Sequence, residues 1–222
     1  MNDAKRGAMF TKIGNMIAIA AKGGTDPAMN PALALAIEKA RQANMPKDNI
    51  QRSIDRAADK NAAVLEEITY EGYGPGGVGI IIETATDNRN RTLPEVKTAL
   101  TKNGGSMADA GSVLFQFTRK GVIRVNASGE DALLAVLDAG AEDAVEDDGE
   151  LTVYTDMKDL HAVRQAIVDA GLEVLDAELS YVPNNEVPLE SEEVETKLLK
   201  VLDAIEDVDD VTNVHTNAQF LK

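Results

Sequence analysis

The segment Asp87-Asn88-Arg89-Asn90-Arg91-Thr92 sets two guanidiniums and two side-chain amides just ahead of an expected helix start. Helix N-termini carry unpaired N–H groups and a partial positive charge. With Arg89, Asn90 and Arg91 beside them, they make a corner suited to an anion. In an acidic protein the same arginines can instead pair with nearby carboxylates while the asparagines only set the turn. Residue types alone leave the two readings level. A second set of cations lies upstream, where Lys5, Arg6, Lys12, Lys22, Lys39, Arg41, Lys47, Arg52 and Arg56 fall within an expected helical region. Taken singly, these would be ordinary solvated surface charges. Their contrast with the rest of the chain raises them above that. Residues 1–62 hold ten Lys and Arg against six acids, residues 63–126 hold seven of each, and residues 127–222 hold five against twenty-five, for a net charge of −16. The basic end can therefore approach a polyanion that the acidic end repels.

Other chemistries fit less well. Gly72 to Gly79 is rich in glycine, yet it precedes a strand and no Gly-Lys-Ser/Thr follows. A tight structural turn explains it better than a phosphate loop does. His161 and His215 lie far apart without metal-ligand spacing and are expected on the surface or a helix face. The clusters Glu146-Asp147-Asp148 and Asp207-Val208-Asp209-Asp210 lack calcium-loop spacing and read as solvated turns. There is no cysteine, hence no thiol nucleophile, disulfide or thiolate metal site, and no Gly-x-Ser-x-Gly. No catalytic residue, metal or cofactor is expected. No apolar run reaches membrane-spanning length and the start does not resemble a signal peptide, so a soluble cytoplasmic protein is expected.

The elements that must position the cations are well signalled. Phe10, Ile13, Ile17 and Ala20 recur at helical spacing before Lys22-Gly23-Gly24. Asn30-Pro31 caps a second helix with Leu33, Ile37 and Ala40 inward, and Asn44-Met45-Pro46 separates it from a third with Ile50 and Ile54 inward. Residues 78–84 form an apolar β-branched run expected as a buried strand. Thr92-Leu93-Pro94-Glu95 looks like a capping box opening a helix, and residues 112–118 and 122–126 read as two strands joined at Arg119-Lys120-Gly121. Beyond residue 130 the order is helix, strand, Asp148-Gly149 turn, strand, helix and strand, then a loop over residues 182–188, a helix over 191–206 and a strand over 211–216. The count fits α+β architecture, a three-helix domain followed by two ferredoxin-like units, one inserted in the other. The expected boundaries are 1–67 for the basic helical domain, 68–121 plus 183–222 for the outer α/β domain, and 122–182 for the acidic insert. One continuous large sheet fits the same periodicity.

Eight blocks carry a family resemblance. They are Asp3-Ala4-Lys5-Arg6-Gly7, Phe10-Thr11-Lys12, Asn30-Pro31, Ala36-Ile37-Glu38-Lys39-Ala40-Arg41, Asn44-Met45-Pro46-Lys47-Asp48-Asn49-Ile50, Tyr70-Glu71-Gly72-Tyr73-Gly74-Pro75-Gly76-Gly77, Thr86-Asp87-Asn88-Arg89-Asn90-Arg91-Thr92 and Lys102-Asn103-Gly104-Gly105. Together they resemble the YebC/PmpR family, which includes a mitochondrial translational activator of cytochrome c oxidase. The resemblance implies three domains, a nucleic-acid-facing helical end, and a role as a transcriptional regulator that binds DNA or as a ribosome-associated factor that relieves stalling. It also adds weight to the Asn-Arg-Asn-Arg segment as a polyanion contact. The family pattern begins with a further basic stretch, whereas this chain starts almost at Asp3-Ala4-Lys5-Arg6-Gly7. Each phosphate contact so lost lowers the salt slope by roughly one unit, and weaker binding is expected.

The partners expected are nucleic acid, either DNA or ribosomal RNA, and the ribosome, with no membrane and a monomeric chain. No clear helix-turn-helix signature demands a palindromic DNA site, and scattered Lys and Arg suit recognition by shape and backbone. The competing class is an acidic adaptor docking on a basic ribosomal or polymerase protein.

Overall fold

The computed structural model describes residues 3–221. Three helices come first, α1 (Asp3–Ala21), α2 (Pro31–Gln42) and α3 (Lys47–Ala58). Asn30 caps α2 by accepting from the Leu33 N–H at 3.1 Å, and Pro31 occupies the first turn. The Asn30 amide also donates to the carbonyls of Ala20 and Gly24 at 2.7 and 2.8 Å, tying the end of α1 to the start of α2. Asn44 takes φ 57°, and the Met45 N–H bonds the Ala40 carbonyl at 2.9 Å, a left-handed helix ending that asparagine tolerates. At 12 residues each, α2 and α3 are too short to persist alone. The three helices share a core of Ile13, Ile17, Leu33, Ile37, Ile50 and Ile54, with α2 and α3 each packed on α1.

The strands are β1 (Glu66–Tyr73), β2 (Gly79–Thr86), β3 (Ser106–Ala108), β4 (Phe117–Val125), β5 (Asp143–Asp147), β6 (Glu150–Thr155), β7 (Val174–Pro183), β8 (Val187–Pro188), β9 (Val211–Thr216) and β10 (Ala218–Gln219). The remaining helices are α4 (Arg89–Lys102), α5 (Glu130–Asp138), α6 (Leu160–Asp169) and α7 (Glu192–Glu206). Two four-stranded sheets result, ordered β3-β1-β2-β9 and β5-β6-β4-β7, so the single large sheet is excluded. Chain contacts divide the protein into two compact units, one running to Phe117 and resuming at Pro183, the other Thr118–Val182.

In the Thr118–Val182 unit, β4-α5-β5-β6-α6-β7 with its sheet order is the ferredoxin-like split βαβ layout. Ile123, Val125, Leu151 and Val153 alternate inward from the sheet, and Val136, Val163 and Ile167 meet them from the helices. Asp148 and Gly149 take φ 49° and 81°, the left-handed pair that a two-residue hairpin needs.

The first unit reaches the same layout by another route. Counting from β2, the sequence β2-α4-β3 and then α7-β9 supplies all but the third strand. That place is taken by β1, which precedes β2 and pairs with it antiparallel from Glu66 opposite Thr86 to Tyr73 opposite Gly79. Ile80, Ile82, Val96, Leu100, Leu198, Val201 and Ile205 form its core. The glycine-rich segment is the β1–β2 turn: Gly76 and Gly77 take φ 85° and 73°, and the Gly74 N–H bonds the Val78 carbonyl at 2.9 Å.

Four local expectations change. The helix cap is Asn88, accepting from the Arg91 N–H, so α4 begins at Arg89 and Pro94 lies within it. Thr92 is instead buried in side-chain hydrogen bonds, because β2 ends close enough to the chain start of β9 to supply partners. Of the strand expected over 112–118, residues 112–116 are not extended but lead through a 3₁₀ turn over Leu114–Gln116 into β4, which starts at Phe117 and runs unbroken through Arg119-Lys120-Gly121. The short strand β3 falls in Ser106–Ala108, where three residues give no periodic signal. Residues 187–188 of the expected loop pair in parallel with β10.

Candidate nucleic-acid interface

The structure sorts the twelve candidate residues by what their charged or amide groups touch. Arg91 is the most committed. Its guanidinium donates to both carboxylate oxygens of Asp210 at 2.9 Å and to Asp87 at 3.2 Å. Asp210 is only 5% exposed. It also receives the Thr92 hydroxyl at 2.7 Å, with Thr86 Oγ1 3.2 Å away. The hydrogen bond to Asp210, then its charge, holds Arg91 further toward its cationic form. Expected in a solvated acidic turn, Asp210 is instead a buried anchor that joins the start of β9 to the first turn of α4. Arg89, by contrast, is exposed and lies 3.8 Å from an exposed Glu66, a pair of little energetic weight. Asn90 is exposed in the same turn.

Lys12 reaches from α1 to the end of α7, where its ammonium donates to the carbonyls of Glu206 and Val208, the latter at 2.8 Å. Burial lowers its pKa although Asp209, Glu206, Asp207 and Asp210 all act to raise it. A cation satisfying the last carbonyls of a helix is a capping group. Lys22 similarly donates to the Leu65 carbonyl. Arg6 pairs with Asp3 one turn away at 2.6 Å, both well exposed. Lys5 is exposed and Lys39 half-buried.

Arg56 donates to Asn15 Oδ1 at 3.1 Å and lies 3.8 Å from Asp87. Since Asp87 also meets Arg91, the third helix and the Asn88–Arg91 corner come together, although they are separated by thirty residues of sequence. Arg52 hydrogen-bonds the Asp48 carbonyl at 3.3 Å and Asn49 Oδ1. Arg41, Lys47 and Arg52 are exposed, and none of the three has an ion-pair partner among the described residues.

Between α1 and α3 runs an open groove of about 430 Å³, to which Phe10, Asn15, Asn49, Arg52, Ser53 and Arg56 contribute. Its lining mixes an aromatic face, amides and guanidiniums. Sequence reasoning picked out the two arginines but not the asparagines or Phe10, whose periodicity marked it only as core.

Two further titratable groups fall outside the interface. Glu71, 5% exposed, accepts from the N–H groups of Gly111, Val113 and Leu114 at 2.6, 2.7 and 2.8 Å. His215, expected on the surface or a helix face, is half-buried on β9, its side chain 8% exposed and Nε2 2.8 Å from Glu83 Oε2, because β9 adds to the sheet beside β2. His161 is half-buried on α6.

Fold and site define an α+β protein in which a cation-bearing three-helix segment precedes two ferredoxin-like sheets. Among the described residues, no group of three or more His, Asp or Glu is placed to hold a metal, and no helix is long and apolar enough to cross a membrane. The family model described as the TACO1/YebC protein N-terminal domain matches residues 1–60, and that of the TACO1/YebC second and third domain matches residues 65–218. A probable transcriptional regulatory protein of Thermobifida fusca is 52% identical over 98% of this chain and 90% of its own length. One from Frankia casuarinae is 50% identical over 98% of this chain and 89% of its own. The crystal structure of a conserved hypothetical protein from Aquifex aeolicus superimposes with a TM-score of 0.92 at 38% identity, covering 99% of this chain and 93% of that one. The chain belongs to the TACO1/YebC family.

Proposed function

We propose that this protein is a non-enzymatic regulator of gene expression that binds nucleic acid through its helical segment. The observation that carries this is the set Arg41, Lys47 and Arg52, three exposed cations with no ion-pair partner among the described residues of a chain with net charge −16. In so acidic a protein, cations left without carboxylates are those available to phosphates. Arg56, with Asp87 between it and Arg91, extends the surface toward Arg89 and Asn90. The names of the relatives, probable transcriptional regulatory proteins, support a regulatory role at transcription. RNA on the ribosome is the finer target we favour, because α2 and α3 pack on α1 rather than presenting a recognition helix braced by its neighbour, and because dispersed cations suit backbone recognition.

The deciding experiment is crosslinking of tagged full-length protein in cells, with RNase and DNase treatments in parallel and sequencing of what is recovered. Ribosomal RNA at defined positions supports a translation factor, whereas discrete promoter DNA assigns it to transcription. Recovery of neither removes the nucleic-acid proposal. A second reading rests on the Thr118–Val182 unit, which holds fifteen acidic against five basic residues and could dock on a basic protein. Charge reversal there that leaves function intact would sink it.

A further inference from the structure

We infer that the groove between α1 and α3 takes a single unstacked nucleobase, sandwiching its recognition between the Phe10 ring and the arginines of α3. This rests on the nucleic-acid reading above and names which part of the nucleic acid the site holds. The groove's volume of about 430 Å³ lies within the ~300–1,000 Å³ range typical of ligand sites. Phe10 is half-buried and lines it, so part of its ring remains for contact. Bases stack on such rings irrespective of sequence. The two helices approach closely there, since a Cβ on Gly14 would lie 2.9 Å from Ser53 Oγ.

The polar groups give the site a direction. Asn15 and Asn49 both line the groove, and each accepts an arginine hydrogen bond through Oδ1, from Arg56 at 3.1 Å and from Arg52. An arginine can only donate, so it fixes which end of each amide is oxygen. The two Nδ2 groups are therefore donors, and neither has a protein partner among the described residues. Two amide donors and two guanidiniums match the edge of a base rich in acceptors, such as uracil or thymine, with a flanking phosphate over Arg52. A duplex hides that edge in base pairs. A single strand offers it.

The test is fluorescence anisotropy of the full chain with short labelled oligo(U), oligo(dT), and an abasic sugar-phosphate strand of equal length and charge. The expected result is about tenfold tighter binding of the base-bearing strands, the value of one stacked base. Phe10→Leu, which keeps an apolar side chain in the core, is expected to erase most of that difference. Arg52→Gln is expected to weaken all three strands. Thermal melts followed by circular dichroism check that both variants fold. Preference for oligo(U) over oligo(dT) assigns RNA, and the converse DNA; equal binding places the contact on the base alone. Equal affinity for base-bearing and abasic strands, unchanged in Phe10→Leu, overturns the groove while leaving backbone binding in place. Failure of every strand to bind overturns both.

Discussion

Arg89 and Arg91 are two residues apart in one anion-friendly sequence, and the structure assigns them opposite dependencies. Arg91→Ala removes a two-oxygen ion pair from Asp210, a carboxylate only 5% exposed. Breaking a buried pair costs about 3–5 kcal/mol. The Arg91 side chain is 45% exposed, and Asp210 keeps the Thr92 hydroxyl, so screening and the remaining hydrogen bond bring the expectation to about 1–3 kcal/mol. Arg89→Ala removes only an exposed contact at 3.8 Å and is expected to stay within about 0.5 kcal/mol of the parent. Urea denaturation of both variants, with the midpoint shift read at constant m, measures the difference. Asp210→Asn completes a double-mutant cycle, in which Arg91→Ala should cost much less once the carboxylate is gone. A parent-like midpoint for Arg91→Ala, or an equal loss in both single variants, would refute the assignment. Nucleic-acid affinity of the folded Arg89→Ala protein then reports on the exposed corner without the complication of lost stability.

Glu71→Gln should destabilise by about 2–4 kcal/mol, since an amide offers one acceptor oxygen where the carboxylate offers two to three backbone donors, and hydrogen bonds to a charged group are worth about 1.5–3 kcal/mol each. Hydrogen exchange at Gly111, Val113 and Leu114 should quicken, and unchanged protection would contradict the role. Burial raises the Glu71 pKa, but the three N–H donors outweigh it and the net shift is downward. Its contribution is therefore complete above the unfolded value of about 4.3 and is lost as pH falls through the lower folded value. The stability gap between parent and Glu71→Gln should accordingly be full near neutrality and close on acidification. Asn30→Ala loses the α2 cap and both hydrogen bonds to the end of α1, an expected cost of about 1–3 kcal/mol in chemical denaturation. Arg41→Ala, Lys47→Ala and Arg52→Ala should leave stability within about 0.5 kcal/mol while each reduces the slope of log K against log salt by about 0.7 for single strands. Slopes equal to that of the parent would take these cations out of the interface.

The sequence by itself determined the elements whose signals are local. Asn30-Pro31 placed the start of α2, the turn at Asn44-Met45-Pro46 separated it from α3, Asp148-Gly149 made a hairpin, and the run after Gly77 became a buried strand, because caps, left-handed turns and β-branched runs depend on neighbouring residues. The division of charge was equally plain. Tertiary structure decided which charges remain available. Lys12 and Arg91 look like any other cation in sequence, yet their partners lie 194 and 119 positions away, on the end of α7 and the start of β9. Asp210 reads in sequence as part of a solvated acidic turn, because the partners that bury it lie far away in the chain. The placement of β1 between β3 and β2, and the meeting of Phe10 on α1 with Asn49, Arg52 and Arg56 on α3, follow from long-range packing of apolar faces. Local periodicity names the buried face of each element, but only the assembled core fixes what stands opposite it.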